Sequence, residues 1–176
     1  QEILNTGQKV NVWVENSEWL KGGTYQITQT LVDLLSQKFA STSGSGIFGM
    51  LTSLAGSQPW GSHNYPSSLI GASQDIQIVV TNLSRDNSPG GIVGYFDTTN
   101  NYLKTAAGAS TSNEALMFFL DSETLASTAY RDISVSTLAH EFTHMVNFYQ
   151  YTVKKSTSFS MFDTWYDEML AMMAED

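Results

Sequence analysis

Residues 138–144 read LAHEFTH, and two of the chain's three histidines, His140 and His144, stand four positions apart with Glu141 beside the first. On a helix, positions i and i+4 lie about 40° apart and one turn on, so two imidazoles at this spacing can share a ligand. The chemistry that needs such a pair is binding of a divalent metal. Neutral imidazole nitrogens hold zinc at about 2.0–2.1 Å, and the HExxH arrangement supplies a glutamate as base toward the water on the metal. Glu141 falls about 100° round from His140, on the side of His144. The competing reading of the same residues is a solvated helix face carrying a His–Glu pair.

The rest of that helix decides which way the imidazoles point. Val135, Leu138, Phe142, Met145, Val146 and Tyr149 form one broad apolar face, nearly opposite the histidines. Burial is supplied without them. A catalytic zinc needs a third protein ligand and an open fourth position. The extended HExxHxxGxxH pattern would put Gly at 147 and His at 150, where this chain has Asn147 and Gln150. The remaining histidine, His63, lies in a loop region. In the last helical segment, WYDEMLAMMAED, the pattern predicts an apolar stripe of Phe162, Trp165, Tyr166, Met169, Leu170, Met172 and Met173. Glu168 borders that stripe between Trp165 and Met172, where a carboxylate is costly unless a cation compensates it. Glu175 follows on nearly the same line as a supporting partner. Asp163 and Asp167 are expected on the opposite, solvated side, and Asp176 stands at the end of the sequence. Position therefore favours Glu168 as third ligand.

The elements that must position these groups read as α+β. Strands are expected at 10–15, 75–83, 90–97 and 113–122, and helices at 24–40, 134–151 and 161–176. Residues 41–68, rich in Gly and Ser, read as a long surface loop with a short helix around Met50 to Leu54. Without an internal repeat or linker, residues 1–176 form a single domain. The last helical pattern is still running at Asp176, so the expectation is the N-terminal part of a longer protein, whose C-terminal remainder would be a partner. A net charge of -9 with eight Lys plus Arg argues against nucleic acid or an anionic membrane surface. The longest apolar run, ALMFFL, is too short to span a bilayer. Zero cysteines exclude disulfides and thiolate metal sites. The low charge content and abundant Ser, Thr, Asn and Gly lean toward a secreted bacterial protein.

Some polar and aromatic groups receive the plainer reading. Tyr149, Tyr151 and Tyr166 are expected in the core rather than as transition-state donors. Asp75, Asn82, Asp86, Asn87 and Asp97 lack calcium-loop spacing and fit turn chemistry. Phe48 and Trp60 either bind a partner or cover the core.

HEFTH followed by Glu168 in the Trp165, Glu168, Ala171 context resembles the gluzincin metallopeptidases. LAHEFTHMVNF, GGIVGYFD and SNEALMFFLDS together resemble the hyicolysin family of secreted bacterial zinc peptidases, most strongly over 134–176 and least before 75. The resemblance implies a zincin-like fold, a small mixed sheet packed against the HExxH helix and a backing helix. It makes His140, His144 and Glu168 the zinc ligands and Glu141 the catalytic residue. It also implies an edge strand along the substrate cleft, a role assigned to NEALMFFLDS. Gluzincins carry a Tyr or His after the third ligand that stabilises the tetrahedral intermediate, and no such residue follows Glu168 before Asp176. The function expected is zinc-dependent hydrolysis of polypeptides by a metal-bound water. The alternative is a zinc-binding but catalytically incomplete surface, adhesion or interaction domain.

Overall fold

The computed structural model describes residues 2–3, 7–41, 46–55, 58–62, 68–154 and 163–175. His63, Phe162 and Asp176 lie outside them. The chain runs β1 (Glu2–Ile3), β2 (Lys9–Val14), α1 (Asn16–Leu20), α2 (Gln29–Ala40), α3 (Ile47–Ala55), β3 (Ile76–Thr81) and β4 (Gly94–Tyr95). It continues through β5 (Leu116–Asp121), α4 (Ser122–Ala126), α5 (Arg131–Asn147) and α6 (Thr164–Met173). The α+β expectation holds, with a small mixed sheet of order β1-β2-β3-β5-β4 among the described residues. The three central strands are parallel, and β1 and β4 join them antiparallel at the two margins.

Period-two patterning puts one face of this sheet in the core. Ile76, Ile78 and Val80 of β3 and Leu116, Phe118 and Leu120 of β5 are all fully buried. Val10 joins them from β2, while Trp13 on the other face is exposed and donates from its indole N–H to Gln77. Helices α2, α3 and α5 cover the buried face through an aromatic cluster. The Phe39 ring centroid lies 4.9 Å from that of Phe142 and 6.1 Å from that of Phe118, and Phe48 lies 5.6 Å from Phe142. Phe48 and Trp60 are thus core residues. Trp60 stacks near Phe148 and Tyr149 and donates to the Gly71 carbonyl.

Several boundaries shift for local reasons. The helix expected from 24 begins at Gln29, because Thr28 is still extended and takes the N-cap position. The strand expected over 90–97 shortens to two residues, since Gly90 and Gly91 also adopt positive φ. The largest correction concerns the edge of the sheet. NEALMFFLDS contributes β5, which is flanked by β3 and β4 and is therefore interior. Its apolar run on both faces, LMFFL, is what an interior strand needs. The margin on this side is β4.

Of the acidic and amide residues considered for calcium, Asn82, Asp86, Asn87 and Asp97 lie in the turns between elements, whereas Asp75 precedes β3 and accepts the Lys9 N–H. The carboxylates of Asp86 and Asp97 accept backbone N–H groups two residues on, and Asn82 accepts from Arg85 N–H. At the C-terminal ends of the parallel strands sits a buried ionic group. Lys21 lies 2.7 Å from Glu123 and 3.3 Å from Glu18, tying α1 to α4.

Phe142 sits at the middle of the aromatic cluster and between the two histidines in sequence. Phe142→Ala is expected to cost about 3–5 kcal/mol, read as a large drop in thermal midpoint. Loss of under about 1 kcal/mol would contradict the role given to this cluster.

Candidate metal centre

Helix α5 delivers the histidines because its opposite side is already committed. Leu138, Phe142, Met145 and Val146 are buried against the sheet and α3, with Val135 partly so. His140 and His144 consequently project toward α6, with ring centroids 4.8 Å apart. Beyond Asn147 the helix widens into a π-helical turn, Phe148–Val153, closed by Lys154 N–H donating to the Tyr149 carbonyl. Tyr149 is buried there, its hydroxyl on the Ser62 carbonyl, as a core tyrosine.

Helix α6 and the turn that follows it bring three carboxylates to the imidazoles. Glu168 Oε2 lies 3.4 Å from His140 Nε2, and Glu168 Oε1 lies 3.7 Å from His144 Nε2. His140, His144 and Glu168 each offer an atom within 4.8 Å of the others, the one such group among the described residues. The other ring nitrogens are also taken. Glu175 lies 2.5 Å from His140 Nδ1, and Asp167 lies 2.8 Å from His144 Nδ1. An ionised carboxylate only accepts hydrogen bonds, so each neutral imidazole must carry its proton on Nδ1 and direct a lone pair from Nε2 toward Glu168. This is the outer arrangement that orients histidines on a metal. Two nitrogens and one carboxylate oxygen, with a fourth vertex for solvent, are a donor set that suits catalytic zinc.

Three features of this site differ from the sequence reading. The stripe on α6 is not core, because Trp165, Met172 and Met173 are each more than 60% exposed. Glu168 is itself half-exposed, so desolvation by Trp165 and Met172 is not what presses it on the metal site. Asp167 is not on a solvated side either. It is partly buried and accepts from His144 and, at 2.7 Å, from the Asn147 side-chain amide. The missed signal was Ala171, fully buried in the middle of α6. Asp167, Glu168 and Ala171 occupy an arc of about 100° on α6, and the small residue lies where the helices approach. Glu175 does support His140, as its line on the helix suggested.

Glu141 faces the other way, toward β4, and is buried. Burial pushes its carboxyl above the ordinary glutamate range, against the pull of His144, His140 and the Phe96 N–H that donates to it. Gly94 makes room for it. A Cβ there would lie 2.5 Å from Thr137 Cγ2, 2.9 Å from the Phe119 carbonyl and 3.3 Å from Glu141 Cγ. Burial lowers the His144 pKa, but the hydrogen bond and charge of Asp167, with Glu141 and Glu168, outweigh it and hold the imidazole above its usual value. Asp167 moves the opposite way. Burial raises it, and the bonds from His144 and Asn147 bring it below the normal aspartate range.

Asp167→Asn is expected to weaken zinc affinity about 10–100-fold, measured by competition with a chromophoric chelator. Unchanged affinity would remove Asp167 from the orientation of His144. Because His144 holds its proton to higher pH than an isolated histidine, affinity should already decline as pH falls through neutrality, by about tenfold per unit for each imidazole protonated.

Among curated proteins and solved structures, none matches the chain. The family model described as Peptidase M30, the hyicolysin family of zinc metallopeptidases, matches residues 1–176. The chain belongs to the peptidase M30 family.

Proposed function

We propose that this metallopeptidase uses zinc held by His140, His144 and Glu168, that Glu141 is its general base, and that it is a gluzincin with zincin-like architecture. One observation carries the reading. Both Nε2 atoms face the Glu168 carboxylate while both Nδ1 atoms are occupied by Glu175 and Asp167. A solvated His–Glu face has no need of that double arrangement.

When bound, zinc lowers the pKa of a coordinated water toward about 7 and polarises the scissile carbonyl. The chain's own residues handle the proton. Burial raises the proton affinity of Glu141 above that of an exposed glutamate, which makes its carboxylate the stronger base. It takes the proton of the attacking water and passes it to the leaving amine. The Phe96 N–H fixes the carboxylate, and Gly94 keeps β4 close enough to shield it from bulk water.

The substrate is a polypeptide, as the family implies. Its main chain would run antiparallel along β4, whose second edge has no strand partner among the described residues. The edge role assigned to NEALMFFLDS passes to Gly94–Tyr95. Tyr95 is braced by stacking on Phe119 at 4.5 Å. Secretion from a bacterium remains our proposal, supported by the low charge content and the polar, cysteine-free composition. No helix among the described residues is long and apolar enough to cross a membrane.

Glu141→Gln should retain one zinc per chain by atomic absorption while cleavage of casein falls by about 10²–10⁴-fold. An undiminished rate would take Glu141 out of the mechanism. Glu168→Ala should lose zinc on dialysis at neutral pH, and full metal content would point to a different third ligand.

A further inference from the structure

We propose that the hollow beside the metal centre is a subsite for a lysine or arginine side chain of the substrate, with Asp97 selecting its charge. The proposal rests on the peptidase reading and gives it a substrate class. The hollow has a volume of about 350 Å³ and opens directly onto the site, because His144 and Glu168 form part of its lining. Phe96 and Phe148 supply aromatic walls with ring centroids 6.1 Å apart, and Asp97 and Thr98 lie on the same side as Phe96. Phe96 is also the residue whose N–H holds Glu141, so this subsite begins next to the general base.

Charge decides what enters. The lining contains three carboxylates, Asp97, Asp167 and Glu168, and no lysine or arginine. Asp167 is engaged by His144 and Asn147, and Glu168 faces the imidazoles. A divalent cation at the centre balances those two charges and leaves that of Asp97 over. One Asp97 oxygen accepts the Thr99 N–H at 2.8 Å, and Asp97 forms no ion pair among the described residues. Glu141 and Glu175 add to the negative field, as does the net charge of -9. A lysine stem can lie along the partly buried Phe96 ring with its ammonium at Asp97, and the arginine plane can stack on the same ring. An acidic side chain meets repulsion alone. Asp97 is exposed, so the preference is modest, about fivefold at low salt.

The test uses zinc-loaded Glu141→Gln protein and three fluorescein-labelled alanine octapeptides, with a single lysine, norleucine or glutamate, read by anisotropy. The lysine peptide should bind about fivefold tighter than norleucine and the glutamate peptide weakest, with the spread narrowing in salt. Asp97→Asn keeps an oxygen for the Thr99 N–H and should bring the lysine-to-norleucine ratio near one. Equal binding of lysine and norleucine, a lysine preference that survives Asp97→Asn, or no binding of any peptide would each overturn the proposal. The readout needs no turnover. Failure of the unmodified protein to cleave casein therefore counts against the peptidase reading, while the affinity ratio judges the subsite.

Discussion

Two imidazoles on one helix define a metal site only when something stops them turning. Here that restraint comes from α6, which grips each ring by the nitrogen the metal does not need. Glu175 and Asp167 hold the two Nδ1 atoms, and Glu168 stands across from the two Nε2 atoms. These are hydrogen bonds between a carboxylate and an imidazole N–H, stronger than bonds between neutral groups, and that of His144 with Asp167 is shielded further by partial burial. Loss of the α5–α6 contact would leave His140 and His144 free to sample rotamers, and the cost of ordering them would then fall on metal binding. Ala171 permits the contact, since a larger side chain at this buried position would push the helices apart.

Behind that contact stands a rigid platform. The Phe39, Phe48, Phe118 and Phe142 cluster fastens α5 to the sheet, so the histidines are presented from an element that cannot tilt without disrupting the core. On the other flank, β4 is only two residues long yet controls the environment of Glu141. Its glycine allows the close approach, and the next residue donates the N–H that receives the carboxylate. His140, Glu141 and His144 share one helix but meet different surroundings. The imidazoles face carboxylates at a partly open surface, and Glu141 is buried beside the Phe96 N–H. That difference suits the imidazoles to the metal-binding role and Glu141 to the proton-transfer role proposed for them.

The region between these elements is shaped by departures from regular structure. The π-helical turn after Asn147 redirects Phe148 and Thr152, and the short β4 ends at once in the turn that carries Asp97. Together they open a hollow against His144 and Glu168. Its lining is anionic without a compensating lysine or arginine, an arrangement that a binding surface for acidic partners would not adopt. Remote from it, the Lys21, Glu18 and Glu123 group serves the sheet's C-terminal end and contributes nothing to this site.

Local spacing alone determined much of the centre. His140, Glu141 and His144 on one helix, the apolar face that turns the two imidazoles outward and the placing of Glu168 on a second helix all follow from the 3.6-residue period, which is a property of neighbouring residues. Tertiary packing decided the rest. Asp167 was assigned to solvent because the exposed Trp165, Met172 and Met173 look like a core stripe, and only the approach of α6 on Ala171 shows which arc faces α5. The sheet margin was likewise beyond sequence, since an apolar run such as LMFFL names a strand without naming its neighbours. The surroundings of Glu141 depend on Gly94 and Phe96, more than forty residues away along the chain. Periodicity reports which side of an element is apolar, whereas a site is made where two elements from distant segments bring their remaining sides together.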